Sequence, residues 1–233
     1  MQLQDKLSEN IRNLTLYIKA GLLTRKQTVK NEVSFVSQFG NPGWAEKVLK
    51  DGVPLHTDPD WRTSGANTIE EYEKWATTVC GMACTSMALR HFKTEEHNPI
   101  ALAKDAFTFN VYQDHSGHLS AMRYKEYVAW IATHNLAAYL YSRLTIKGIQ
   151  YILSQDGLVI ASVNPNVRGY ETGPRKQKGG HLVLVTGYSI PEQTITIQNP
   201  SGFVSHKTHH NHTLAISDFH TYFAHRGIAL YNQ

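Results

Sequence analysis

Cysteine is scarce in this chain of 233 residues: two occur, Cys80 and Cys84, four positions apart. A bridge between them would close almost no loop, so a secreted, disulfide-stapled fold is not expected. A Cys-x3-Cys pair with no further cysteine is also a poor zinc signature. Long apolar runs are missing too. Nothing approaches the roughly 18 continuous apolar residues of a membrane span, so no membrane span is expected. The opening MQLQDKLSENIRNL has neither the basic start nor the apolar run of a signal peptide. A cytoplasmic location is therefore expected, with leaderless export as the alternative. Charge of one sign is also in short supply. The 23 basic and 19 acidic residues leave a net charge of +4, and no Lys/Arg block stands out. That argues against a nucleic-acid partner. Internal repeats and low-complexity tracts are absent.

The composition that remains is that of a globular chain: 41% hydrophobic and 18% charged residues can bury a core. Residues 5–24 read as an amphipathic helix, with Leu7, Ile11, Leu14, Ile18 and Leu22 at three- and four-residue steps. This N-terminal helical arm is assigned to residues 1–32, ahead of a main domain over 33–233. From Phe35 to Trp61, Gly and Pro mark loops around one short helix at Trp44–Leu49. Thr68 followed by Glu71 forms a capping box, so a helix is expected over EEYEKWATTV. Cys80-Gly81 interrupts it, and ACTSMALRHF resumes with helix formers. PIALAKDAF, MRYKEYVAWIATHN and TIKGIQYILSQD read as further helices. In MRYKEYVAWIATHN, Tyr124, Tyr127, Val128 and Ile131 share one face. The second half changes character. LVIASV, HLVLVTGY, TITIQN and GIALYN are short, β-branched and bounded by Gly, Pro or Asn, as strands are. Helices first and a mainly antiparallel sheet afterwards is the α+β pattern.

Four residues could carry chemistry. Cys80 is expected at or near a helix N-terminus, where the helix dipole and a nearby imidazolium stabilise a thiolate. Its own surroundings fit a small buried thiol as well. Cys84, one turn on, is expected in the core with Met87 and Ala88. His181 follows Gly179-Gly180 and opens an apolar strand, so its ring can be held at the mouth of a cleft. Asn199 ends the next strand in QNPSG, within reach of His181 if the two strands pair. A nucleophile, a base and an orienting amide is the generalised triad. Taken singly, each signal has an ordinary alternative, such as an edge histidine or an Asn-Pro turn. The order of the three is more specific than any one of them.

The segments CGMACTSMAL, GGHLVLVTGY and QNPSG resemble the cysteine, histidine and Asp/Asn-Pro motifs of the bacteriocin-processing, C-39-like cysteine peptidases. DFHTYFAHRGIAL is similar to that family's closing helix and strand. The resemblance spans roughly residues 33–232. It implies a papain-like α+β fold, with a helical half packed on a mainly antiparallel sheet. It further implies a Cys80–His181–Asn199 triad, a peptide or protein substrate, and no cofactor or metal. The family also uses a glutamine shortly before the cysteine as oxyanion donor. Here Lys74 occupies the six-before position, a departure. EVSFVSQFGNP resembles the family's apolar-x-x-Ser-Gln opening, which makes Gln38 the expected donor and residues 39–79 an insertion that loops out. The His-rich run at His206, His209, His210 and His212 is read as a solvated loop rather than a metal site. The family's exporters carry this domain beside membrane spans and an ATPase, whereas this chain has no GxxxxGK[ST] loop. Peptide or amide hydrolysis through a Cys80 thioester is the leading expectation. The alternatives are an acyl or peptidyl transferase using the same site, and a silent peptide-binding module.

Overall fold

Local sequence decides most of the helical half, and the long-range pairing of β-rich segments decides the rest. The computed structural model describes residues 2–21, 23, 27–169 and 179–233. Its helices are α1 (Gln2–Ala20), α2 (Trp44–Leu49), α3 (Ile69–Trp75), α4 (Cys80–Lys93), α5 (Pro99–Phe107), α6 (Tyr124–Ile131), α7 (Ile146–Leu153) and α8 (Ile216–Tyr222). Its strands are β1 (Thr28–Lys30), β2 (Asp114–His115), β3 (His118–Leu119), β4 (Leu136–Tyr141), β5 (Leu158–Val163), β6 (His181–Ser189), β7 (Thr194–Gln198), β8 (His212–Ala215) and β9 (Phe223–Asn232). The expected α+β class is what the chain adopts.

The caps follow the residues that can make them. Thr68 accepts from the Glu71 backbone N–H and starts α3, as its capping box requires. The Glu71 carboxylate bonds the Asn67 N–H and pairs with Lys104 of α5 at 3.1 Å. Thr145 caps α7 in the same way, through the Gly148 N–H. Pro99 starts α5 at the position where a missing N–H costs nothing.

The main sheet is antiparallel throughout, in the order β4-β9-β5-β6-β7-β8, with β1 on the far end of β6. β5 and β6 are buried at every residue. Both of their faces are therefore covered, and α4 and α7 pack on them. Burial of this continuous Val/Ile/Leu run is the largest stabilising contribution in the sheet, at about 25 cal/mol per Å² of apolar surface.

Two features lie beyond what the sequence pattern specifies. The apolar stripe of α1 faces outward: Leu7, Ile11, Leu14 and Ile18 are 57–63% exposed. Leu16 and Ala20 are buried instead, and Leu16 fits closely against Gly148 of α7, where a Cβ would lie 3.0 Å from Leu16 Cδ2. Polar contacts hold the same face: Glu9 accepts from the Ser142 N–H, and Arg12 lies over the Tyr139 ring. Leu22 lies outside the described residues. Residues 39–79, expected as an insertion, are tied into the structure. Phe39, Ala45, Tyr72 and Ala76 are buried there. The buried Asp58 carboxylate gathers the segment by accepting from the N–H groups of Asn41 and Asp60 and from the Tyr72 hydroxyl.

Candidate active site

Cys80 is the first residue of α4, and Val79 before it offers no capping side chain. The first-turn N–H groups are therefore uncommitted within the helix. The backbone N–H groups of Leu182, Gly81 and Cys80 favour the thiolate form of Cys80. Packing at Gly81 is close: a Cβ there would come within 2.5 Å of Met122 Sδ and 3.0 Å of Leu182 Cδ1, and those side-chain ends would have to shift. Cys84, one turn along, is wholly buried, and its thiol reaches the Leu182 carbonyl. Both cysteines are free.

The opposite wall is the start of β6 and the end of β7. Gly179 and Gly180 take φ of +95° and +99°, a conformation that only glycine adopts cheaply, and turn the chain into β6 at His181. Asn199 follows β7 and begins the Asn-Pro-Ser-Gly turn, closed by the Gly202 N–H donating to the Asn199 carbonyl at 2.9 Å. His181 Nε2 and Asn199 Oδ1 lie 2.8 Å apart, both residues being buried. Since Oδ1 can only accept, Nε2 carries the proton and Nδ1 is left with a lone pair. Ser201 Oγ lies 3.3 Å from the same Nε2 and accepts from Arg168 Nε at 2.8 Å. An Arg168–Ser201–His181 chain thus runs beside the Asn199 contact.

A cavity of about 310 Å³ separates the walls. Thr77, Thr78 and Cys80 line one side, His181, Leu182 and Arg226 the other, and Met122 and Tyr124 contribute to the lining. Cys80 and His181 therefore share one cleft. Gln38 is placed differently. Its Nε2 donates to the Ala76 carbonyl at 2.9 Å, and its backbone N–H donates to the Pro200 carbonyl at 3.0 Å. It thus joins the segment leading into Cys80 to the turn that holds Asn199, but it is not among the residues lining the cavity. Its Oε1 has no partner among the described residues. Lys74 points elsewhere, to Asp114 at 2.6 Å.

The electrostatics differ from the thiolate–imidazolium pair anticipated from a helix start and a histidine. Burial pushes the Cys80 thiol up, against the backbone donors and the Arg168 guanidinium, which lower it. Burial also pushes His181 well below its usual range, with Arg168 adding to the depression and Asn199 opposing it. Both shifts favour the uncharged thiol and imidazole. Desolvation outweighs the nearby charge and dipole here.

The His-rich run is largely exposed and brings no three ligands together: among the described residues no group of three or more His, Cys, Asp or Glu could hold a metal. His206 instead meets the Gly169 carbonyl, and His209 packs edge-on against Phe35. Arg168 escaped the sequence reading because it stands far from every motif. Ser201 lay within QNPSG, where a hydroxyl two residues after the amide was the available signal.

The sequence profile described as the Peptidase_C39 like family matches residues 66–228. The chain belongs to the C39-like peptidase family. The matched span contains Cys80, His181 and Asn199 and leaves Gln38 outside it. Among solved structures, the chain is similar to the peptidase domain of Streptococcus ComA, a bi-functional ABC transporter involved in a quorum sensing pathway. The two are 14% identical, with a TM-score of 0.46 over 67% of this chain and 93% of that one. No curated protein matches. Among the described residues, no helix of this C39-like chain is long and apolar enough to cross a membrane.

Proposed function

We propose that the chain is a cysteine peptidase that cleaves a peptide or amide bond through a thioester on Cys80. His181 is the base, Asn199 holds its ring, and Gln38 assists at the oxyanion. The observation that carries this reading is the 2.8 Å contact between His181 Nε2 and Asn199 Oδ1 at the edge of the cleft that Cys80 also lines. Membership of the C39-like family supports it.

With Nε2 committed to Asn199, Nδ1 is the atom free to take the thiol proton. The Cys80 sulfur attacks the substrate carbonyl as that proton moves to Nδ1. The oxyanion is met by first-turn N–H groups of α4 and by the second Nε2 hydrogen of Gln38. The imidazolium then gives its proton to the leaving amine, which departs and leaves the thioester. Water, deprotonated by His181, attacks the thioester carbonyl and releases the acid and the Cys80 thiol. The site starts neutral and becomes charged only as the reaction proceeds. Fixed donors and the Asn199 amide then act on charge that develops in the transition state.

The reading is tested by digesting a synthetic peptide library with the intact protein and sequencing the products by mass spectrometry. Cleavage at defined bonds is expected, and Cys80→Ala is expected to remove it. Absence of any cleavage, or cleavage that survives Cys80→Ala, would overturn the assignment. The pH profile sharpens it. A lowered His181 keeps the base neutral further into acid, and a raised Cys80 keeps the thiol protonated further into alkali. Peptide kcat/KM is therefore expected to form a broad plateau, with its acid limb below the usual histidine range of about 6.5.

A further inference from the structure

Arg226 lines the same cleft for a reason the catalytic reading does not supply. Strands β5 and β9 pair Ala161 with Gly227 and Val163 with Phe223, and the register shifts between them. Three residues, Ala224 to Arg226, thus stand opposite Ser162 alone. Such a bulge re-aims a side chain. It is built at a cost: His225 takes φ of +56°, a region that residues with a side chain seldom occupy. Its carbonyl is used, accepting from the Leu144 N–H at 2.8 Å. The product of the bulge is a guanidinium in the cleft beside Ser162, Gly180 and His181. Gly179 leaves room for it, because a Cβ there would lie 2.4 Å from Arg226 Nη2.

That guanidinium is exposed, and among the described residues it enters no ion pair. Among the described residues, no Asp or Glu lines the cavity. A fork of N–H donors in a cleft whose described lining holds no carboxylate matches one, which it can bind through two parallel hydrogen bonds. We propose that Arg226 is a specificity residue that selects substrates carrying a carboxylate close to the scissile bond, either an Asp or Glu side chain or a free C-terminus. This rests on the peptidase reading and names the substrate class of that site.

Two measurements keep the inference separate from that reading. In the first, wild-type protein and Arg226→Gln digest matched peptides bearing Glu or Gln near the cut, and matched peptides with a free or amidated C-terminus. Wild type is expected to favour the carboxylate member of at least one pair by about tenfold or more, as a charged hydrogen bond allows. Arg226→Gln should bring that ratio towards one, and Arg226→Lys should retain part of it. Loss confined to the Glu/Gln pair identifies a side chain, and loss confined to the acid/amide pair identifies a terminus. The second measurement needs no turnover: fluorescence anisotropy of the same labelled peptides on Cys80→Ala, with and without Arg226→Gln. An equal preference with and without Arg226, in cleavage and in binding, would overturn the inference while leaving the peptidase reading intact. No cleavage by wild type, with an Arg226-dependent carboxylate preference in binding, would overturn the peptidase reading alone.

Discussion

His181 opens β6 and Asn199 directly follows β7, neighbouring antiparallel strands held in register by their shared ladder, whereas Cys80 and Gln38 come from a helix start and a loop far apart in sequence. On the sheet wall, position follows from strand pairing and from one turn, Asn199 to Gly202. On the helical wall, position depends on tertiary contacts: Gln38 on Ala76 and Pro200, Gly81 on Met122 and Leu182. The difference teaches where the site tolerates change. The proposed base and its orienting amide are backed by the sheet, and the proposed oxyanion side is only as rigid as the packing of residues 39–79.

The comparison can be broken most severely at the sheet wall. His181→Ala removes the proposed base and is expected to lower peptide kcat/KM by roughly 10³-fold or more, while Asn199→Ala is expected to free the ring to turn and lower it by about 10²-fold or more. Circular dichroism should show both variants folded. Equal activity in either variant would remove that residue from the site. Gln38→Ala tests the other wall. A loss of about 10²–10³ in kcat is expected for an oxyanion donor. A loss of stability of about 1–3 kcal/mol should accompany it, because the buried Ala76 carbonyl loses its donor. Unchanged turnover with lowered stability would make Gln38 structural only.

Smaller effects sharpen the electrostatic side. Arg168 depresses His181 and Cys80 alike. Arg168→Gln should therefore move the acid limb of the kcat/KM profile to higher pH, and a limb that stays fixed would show that the guanidinium is screened. The smallest effect is on stability. A folded-state His181 held below its unfolded value binds fewer protons than the unfolded chain as pH drops. Stability is then full above about pH 6.5 and falls as pH descends towards the folded value. Thermal melts between pH 7.5 and 5 should show this slope, and His181→Gln should flatten it.

Much of this was legible in the residues. The Thr68 capping box, the Trp44–Leu49 helix in its Gly/Pro surroundings, PIALAKDAF and the four β-branched strands all appear where their local signals put them. Cys80, His181 and Asn199 were legible by type and order, because each sits at the end of an element whose sequence announces it. The illegible parts depend on tertiary contacts. β4 lacks β-branched residues in LAAYLY, and its strand form comes from pairing with β9. α1 carries a periodic apolar stripe, yet the face that packs is the one with Leu16 against Gly148 and the polar contacts of Glu9 and Arg12. α7 bears a similar stripe and does bury Ile149, Ile152 and Leu153. Period alone therefore shows that a face is apolar, not that a surface exists to receive it. Arg168 and Arg226 gave no signal, since only the three-dimensional path of the chain brings them to His181.

The central claim is that Cys80 forms an acyl intermediate because His181 takes its proton. It is tested most directly by mixing the protein with an activated ester, p-nitrophenyl acetate, and following acetylation by intact mass and peptide mapping. A stoichiometric acetyl group on Cys80 is expected, with Cys84 unmodified and the reaction slowed to the rate of an ordinary thiol in His181→Ala. Acetylation of Cys80 at the same rate in wild type and His181→Ala would contradict the account.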